Sequence, residues 1–170
     1  AWKGLRPAKK ADIFKEVDTK VDDKTFLSLA KEITSLPKEK KFFRKISKLY
    51  EDRAAMIDKG SYDWAMGELM AYATLLNEGK RVRISGQDVQ RGTFSHRHAV
   101  LTLEDSEEKY APLAQIKGGD KFNIYNSLLS EYGVLGFEYG YALANPQALT
   151  VWEAQFGDFY NGAQIVVDQY

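Results

Sequence analysis

From Ser61 onward the chain alternates between two kinds of apolar pattern, and this alternation constrains the fold more than any other feature of the sequence. Short strand-like stretches cover residues 81–84, 98–103, 122–125 and 149–154. Between or after them lie helical stretches at 64–76, at 131–143 and from Asp158 onward. Strands separated by helices are typical of an α/β layer structure. We therefore predict an α/β fold with a mainly parallel sheet flanked by helices.

The first 60 residues have a different texture. Residues 1–22 are charged, contain Pro7 and have few apolar side chains, so we predict a linker or arm. Residues 23–60 show apolar positions at three- and four-residue spacing, interrupted at Pro37 and closed by Gly60. This pattern predicts an N-terminal helical hairpin. The domain would then occupy 61–170, and we expect it to be truncated at its C-terminus, where an apolar helix has no capping residue.

Composition excludes several classes of function. The 24 basic and 24 acidic side chains give a formal net charge of zero, so there is no electrostatic footprint for nucleic acid or an acidic membrane surface. The chain has no cysteine, which excludes disulfides, thiolate nucleophiles and cysteine-bound zinc. Its apolar runs are shorter than the ~20 residues that a membrane span needs. We expect a soluble intracellular protein with no nucleic-acid or membrane partner.

Both histidines, His96 and His98, lie in a glycine-punctuated segment directly after a predicted strand. Ligands of α/β folds gather at the carboxyl ends of strands, so a site is expected here. The alternative interpretation is a polar surface loop. Two histidines at this spacing lack a third partner for a metal ion, and we predict no metal site.

Two further segments contain candidate residues. Glu131 begins a predicted helix, where a carboxylate either stabilises the helix dipole or faces a binding pocket. Phe156 and Phe159 lie between a predicted strand and a helix, where aromatic rings either pack a core or form a wall for a flat heterocycle. No glycine-rich phosphate-binding motif is present, and no Gly-Asp-Gly segment.

Three ordered blocks of the sequence resemble one family: 86–100 (GQDVQRGTFSHRHAV), 129–141 (LSEYGVLGFEYGY) and 152–164 (WEAQFGDFYNGAQ). They are similar to the decarboxylating component of 2-oxoglutarate dehydrogenases, over about residues 40–170. The first 40 residues resemble the linker that precedes this region.

The resemblance implies a transketolase-like pyrimidine-binding domain that belongs to a longer enzyme. Such an enzyme decarboxylates 2-oxoglutarate oxidatively and passes the product to the lipoyl-bearing succinyltransferase component of its complex. Its thiamine diphosphate lies between this domain and a separate diphosphate-binding domain, across a homodimer interface. That separate domain precedes this one and holds the magnesium ion. The location would be the cytoplasm of a bacterium or the mitochondrial matrix of a eukaryote.

The resemblance also implies roles for individual residues. Glu131 matches the cofactor-activating glutamate, which shares a proton with a pyrimidine ring nitrogen. Other positions match or adjoin the cofactor pocket: Gln87 and Leu129 line it, Phe156 and Phe159 pack on the aminopyrimidine, and Gln155 lies beside them. His96 and His98 are candidates for assisting the substrate or reaction intermediates.

Two alternatives remain open from the sequence. The same domain occurs in other thiamine enzymes, such as pyruvate dehydrogenase and transketolase, although the His-Arg-His block and the block from Trp152 disfavour both. A non-catalytic interaction module could also retain the fold, although the presence of Glu131 disfavours loss of the site.

Overall fold

A parallel sheet of three strands forms the centre of the fold in the computed structural model, which describes residues 1–155 and 160–170. The strands are β1 (Val82–Gly86), β4 (Phe122–Asn126) and β5 (Leu149–Glu153), in the order β4-β1-β5. Both outer strands run parallel to β1, and Gly86 is in register with Asn126 and Glu153. The carboxyl ends of all three strands therefore meet at one edge of the sheet.

Five α-helices surround or extend this sheet within the described residues. They are α1 (Asp23–Thr34), α2 (Arg44–Lys59), α3 (Trp64–Asn77), α4 (Glu131–Ala144) and α5 (Gln164–Gln169). Short 3₁₀ turns cover Lys10–Phe14, Pro112–Ala114, Gly119–Lys121 and Tyr160–Ala163. None of the helices in the part of the chain described is both long and apolar enough to cross a membrane.

Capping residues explain where α1 and α3 begin and where α2 ends. The Asp22 carboxylate accepts a hydrogen bond from the Thr25 amide at the start of α1, and Asp63 accepts one from Met66 at the start of α3. Gly60 ends α2 in the left-handed conformation that glycine adopts without steric cost. The predicted hairpin is thus formed by α1 and α2.

The core consists of two clusters of buried apolar side chains. The larger one joins α1 and α3 to the sheet, with Ala30, Ala73, Leu76, Val82 and Ile84 fully buried. The smaller one packs α2 on a short antiparallel hairpin of β2 (Leu101–Thr102) and β3 (Lys109–Tyr110). Both helices of the N-terminal hairpin therefore share core with the region that follows them.

One predicted strand is much shorter in the structure and belongs to a different sheet. The stretch 98–103 contributes only Leu101–Thr102, which pairs antiparallel with β3 and not with the central sheet. His98 has a φ of +41°, which is incompatible with extended backbone. The predicted start of the last helix, Asp158, lies outside the described residues, and α5 begins at Gln164.

Gly86 ends the central strand with a backbone conformation that other residues rarely adopt. Its φ is +150°, and a Cβ atom there would lie 2.2 Å from the Glu153 carbonyl oxygen. We expect Gly86→Ala to lower the free energy of unfolding by about 1–3 kcal/mol, because the strained backbone and the clash have no simple relief. Urea unfolding of the 170-residue chain measures this change.

Gly67→Ala is the matched control. Gly67 lies inside α3, and a Cβ atom there meets nothing within 4 Å. Alanine is favoured over glycine in a helix by roughly 0.5–1 kcal/mol, so this variant should be more stable than the wild type. Equal stabilities for the two variants would contradict the role assigned to Gly86.

Candidate functional site

Two residues selected from the sequence meet at the carboxyl edge of the sheet. Gln87 directly follows β1, and Glu131 is the first residue of α4. The Gln87 side-chain amide donates a hydrogen bond of 2.8 Å from Nε2 to Glu131 Oε1, across 44 positions of sequence. The structure therefore brings these two predicted pocket residues into direct contact.

The Glu131 carboxylate lies between two loops. It is half-buried, and its other oxygen, Oε2, faces the 3₁₀ turn Tyr160–Ala163, where a Cβ atom added to Gly162 would lie 3.2 Å away. Ser130, the N-cap of α4, makes no side-chain capping hydrogen bond. The helix dipole favours an anion at this position in any case. The hydrogen bond to Gln87, however, gives Glu131 a tertiary partner that a purely capping role does not require.

The other predicted pocket residues have different surroundings. Gln155 is half-buried, and its amide lies 3.4 Å from Asp88 Oδ2, next to Gln87 in the chain. Leu129 is 81% exposed. Phe156 and Phe159 lie outside the described residues. Gln155 thus contacts the residue that follows Gln87, whereas Leu129 presents its side chain to the surface.

The two histidines lie in the loop that follows β1. The His96 ring packs against Gly92, whose φ is +80° and where a Cβ atom would lie 2.4 Å from the ring. His96 Nδ1 is buried and has no hydrogen-bond partner among the described residues. Neither imidazole hydrogen-bonds to Gln87 or Glu131 in the described part of the chain.

The environment of His98 favours its neutral form. Partial burial lowers the pKa of His98 below its ordinary value of 6.5, and the positive charges of Arg53, Lys45, Arg91 and His96 lower it further. A neutral imidazole can both donate and accept a hydrogen bond, which its protonated form cannot.

Arg97, between the two histidines, was not selected from the sequence, but it anchors this loop. Its side chain is 3% exposed. The guanidinium donates from Nε to Glu68 on α3 at 2.9 Å and from Nη2 to Glu153 on β5 at 2.5 Å. A further bond of 2.9 Å joins Nη1 to the Val89 carbonyl. Burial disfavours the charge, but the bonds to Glu153 and Glu68 outweigh it and raise the pKa of Arg97.

A second ion pair joins β1 to α4, between the partly buried Arg83 and the buried Glu138. Arg83 of β1 donates to both Glu138 oxygens at 2.7 and 2.8 Å, and its guanidinium faces three aromatic rings at 4.6–5.3 Å. Beside it is a cavity of about 330 Å³, lined by Tyr125, Phe137 and Ser85 among others. The buried Ser85 hydroxyl has no partner among the described residues. The alternating pattern of β1 gave no signal for this pair.

Comparison with known proteins identifies the domain. Residues 60–170 match the family described as "Transketolase, pyrimidine binding domain". The chain belongs to this family. The predicted fold class, an α/β fold with a parallel sheet flanked by helices, is confirmed.

Individual relatives extend the similarity beyond the pyrimidine-binding domain. The whole chain is 46% identical to the "2-oxoglutarate dehydrogenase E1 component" of Brucella anthropi, over 172 residues. The same identity is found with the proteins of that name from Brucella canis and Brucella suis. The predicted resemblance to this enzyme family is confirmed. The chain spans 17% of the length of each of these relatives.

The anchoring role of Arg97 predicts a large loss of stability on substitution. Arg97→Met leaves the carboxylates of Glu68 and Glu153 without their cation, and removing one partner of a buried ion pair typically costs about 3–5 kcal/mol. Arg91→Met, in the same loop of the pyrimidine-binding domain, is the control. Among the described residues, the Arg91 side chain pairs with Asp88 at 3.2 Å in an exposed position, and such pairs contribute at most about 1 kcal/mol. Urea unfolding should separate the two variants, and a difference below 1 kcal/mol would refute the assignment.

His98 also predicts a pH dependence of stability. In the unfolded chain it takes up a proton near pH 6.5, whereas the folded chain binds that proton only at lower pH. Acid therefore favours the unfolded state, and stability falls as the pH drops below about 6.5. His98→Asn should lessen this loss between pH 7.5 and 5.5, since asparagine tolerates the positive φ without titrating. Denaturant unfolding at both pH values measures the change, and an unaltered loss in the variant would exclude His98 as its source.

Proposed function

We propose that this chain forms the aminopyrimidine-binding part of the thiamine diphosphate site in a 2-oxoglutarate dehydrogenase. The observation that carries the proposal is the contact between Gln87 and Glu131 at the carboxyl edge of the sheet, in a domain of the pyrimidine-binding family. The 46% identity over the whole chain with proteins named 2-oxoglutarate dehydrogenase E1 component supports the choice among thiamine enzymes.

The side chains at this edge fit the proposed cofactor. A pyrimidine ring offers nitrogen atoms that exchange a proton or accept a hydrogen bond, and Glu131 supplies a half-buried carboxyl group oriented by the Gln87 amide. Thiamine diphosphate, when bound, supplies the carbon nucleophile and the electron sink for decarboxylation of a 2-oxo acid. Glu131 would hold and share a proton at a ring nitrogen, and Gln87 would fix the direction of the carboxylate.

Other residues complete the proposed site. Phe156 and Phe159 would pack on the ring and exclude water, with Gln155 and Leu129 near the same edge. His96 and His98 would assist 2-oxoglutarate or the reacting atoms from the loop that Arg97 anchors. The diphosphate and its magnesium ion would bind a separate domain, since this chain has no Gly-Asp-Gly motif.

The proposed partners follow from the same assignment. Several large apolar side chains on or beside α4 and α5 are exposed: Leu128, Leu129, Tyr132, Phe137, Ile165 and Val167. We propose that these side chains pack against a second protomer, because clustered exposed apolar side chains often mark protein–protein contacts. The product would pass to a lipoyl-bearing succinyltransferase, in the bacterial cytoplasm or the mitochondrial matrix.

Replacement of Glu131 tests the proposal. In a protein of the relatives' full length that carries this chain, Glu131→Gln keeps the size of the side chain but cannot share a proton as a carboxyl group does. General acid–base assistance contributes about 10²–10⁴-fold, so 2-oxoglutarate decarboxylation and hydrogen exchange at the C2 position of bound cofactor should slow by that factor. The free energy of unfolding should change by less than about 1 kcal/mol.

Asp23→Asn provides the matched control. Asp23 lies in the first turn of α1, so its replacement removes the same charge from a helix N-terminus away from the proposed site. Decarboxylation should stay at the wild-type rate in this variant. If Glu131→Gln left both rates within a few-fold of wild type, Glu131 would be only a favourable charge at a helix end. The chain would then be a binding or interaction module of the same fold.

A further inference from the structure

Arg53 connects α2 to the histidine loop. It lies outside the 60–170 segment that matches the family, yet it is only 1% exposed. Its Nη2 atom donates to the carbonyl oxygens of His96 at 2.8 Å and Arg97 at 2.7 Å. From the same helix, the Tyr50 hydroxyl donates to the His98 carbonyl at 2.9 Å. Side chains of α2 therefore occupy three successive carbonyl groups of the loop.

Arg53 differs from Arg97, which is also buried, and from the partly buried Arg83 in having no carboxylate partner among the described residues. Arg97 and Arg83 each bind acidic side chains, whereas the hydrogen bonds of Arg53 in the described structure all go to loop carbonyls. Its Nε and Nη1 atoms have no partner there, and its guanidinium lies 4.9 Å from the centre of the Tyr50 ring. Burying a charge without a counter-ion is unfavourable. The compensating contacts are the bonds that shape the loop.

These contacts lie at the point where the loop backbone is unusual. The chain turns at His98 with a φ of +41°, and the carbonyls there accept hydrogen bonds from Arg53 and Tyr50 of α2. On the opposite side, the amides of Arg97 and His98 both donate to the Arg91 carbonyl at 2.9 Å. The peptide groups between the histidines are thus fixed from two directions.

We propose that Arg53 is a positioning residue for the loop that carries His96 and His98. A helix outside the matched domain would then set the orientation of both histidines. Any part the histidines play in the reaction rests on the proposed function, but the loop geometry does not. The test below needs neither cofactor nor substrate, so failure of one assignment leaves the other open to its own test.

The pKa of His98 provides a second measurement that tests the role of Arg53. Arg53 and Lys45 from α2, and Arg91 and His96 from the loop, face His98, and all of them are positive or become so on protonation. Removing the charge of Arg53 should therefore raise the pKa of His98. Lys45→Met removes a charge from the same helix without removing a hydrogen bond to the loop.

Backbone hydrogen exchange of the 170-residue chain, followed by NMR, tests the proposal directly. Arg53→Met removes both carbonyl bonds, and bonds to charged groups are strong enough that their loss should speed exchange about tenfold or more. We expect this acceleration at the amides of Arg97, His98 and Ala99, relative to those of β1, together with a higher His98 pKa. Lys45→Met should raise the His98 pKa but leave loop exchange at the wild-type rate.

Two outcomes would overturn the proposal. One is loop exchange in Arg53→Met within twofold of wild type, and the other is equal acceleration in β1, which would show general destabilisation only. If Arg53→Met does not fold, Arg53→Lys decides, because lysine keeps the charge but lacks the planar fork. Loop exchange at least severalfold faster than in β1 would then support positioning. Wild-type loop exchange in Arg53→Lys would refute it.

Discussion

The buried guanidinium of Arg97 is the interaction on which the arrangement of the candidate site depends. It joins three separate parts of the fold, since it binds Glu68 of α3, Glu153 at the end of β5 and the Val89 carbonyl in its own loop. Buried ion pairs add little net stability over apolar packing, but an unpaired charge in such a position is costly. The bonds from Arg97 to Glu68 and Glu153 therefore act mainly by excluding other loop conformations. They keep the chain after β1 against the edge where Gln87 and Glu131 meet.

Much of the architecture could be predicted because it depends on local patterns. The alternation of apolar segments indicated a parallel sheet, and Glu131 was expected at the start of a helix, where α4 begins. The roles of Arg97 and Arg53 could not be predicted. Charged residues at 91–98 read as a solvated loop, and the partners of Arg53 lie 43 and 44 positions away in sequence. The short β2 was also not predicted, because nothing in the local pattern of 98–103 indicates the positive φ of His98 or its contact with Tyr50 of α2.

The start and the middle of α4 make different kinds of contact. At its start, the Glu131 carboxylate faces the loop after β1, where the helix dipole and Gln87 both favour a negative charge. One and two turns later, Val134 and Glu138 face the sheet, and Glu138 is buried against Arg83. Tyr132 is exposed, and Phe137 is also largely exposed although its ring lies 5.3 Å from the Arg83 guanidinium. The buried ion pair fixes the rotation of the helix about its axis, so Glu131 is oriented by a contact seven residues away as well as by Gln87.

The helical hairpin and the matched domain both contribute contacts that hold the histidine loop. Arg97 ties the loop to the sheet from one side, and Arg53 and Tyr50 hold its carbonyls from α2 on the other. Without α2, the carbonyls of His96, Arg97 and His98 would lose these donors, and the β2–β3 hairpin would lose the apolar surface of Ile46 and Tyr50. The sheet core lies mainly between α1, α3 and β1, so it would lose less from the absence of α2. Loss of the α2 contacts would therefore disturb the strands of the domain less than the geometry of its histidine loop.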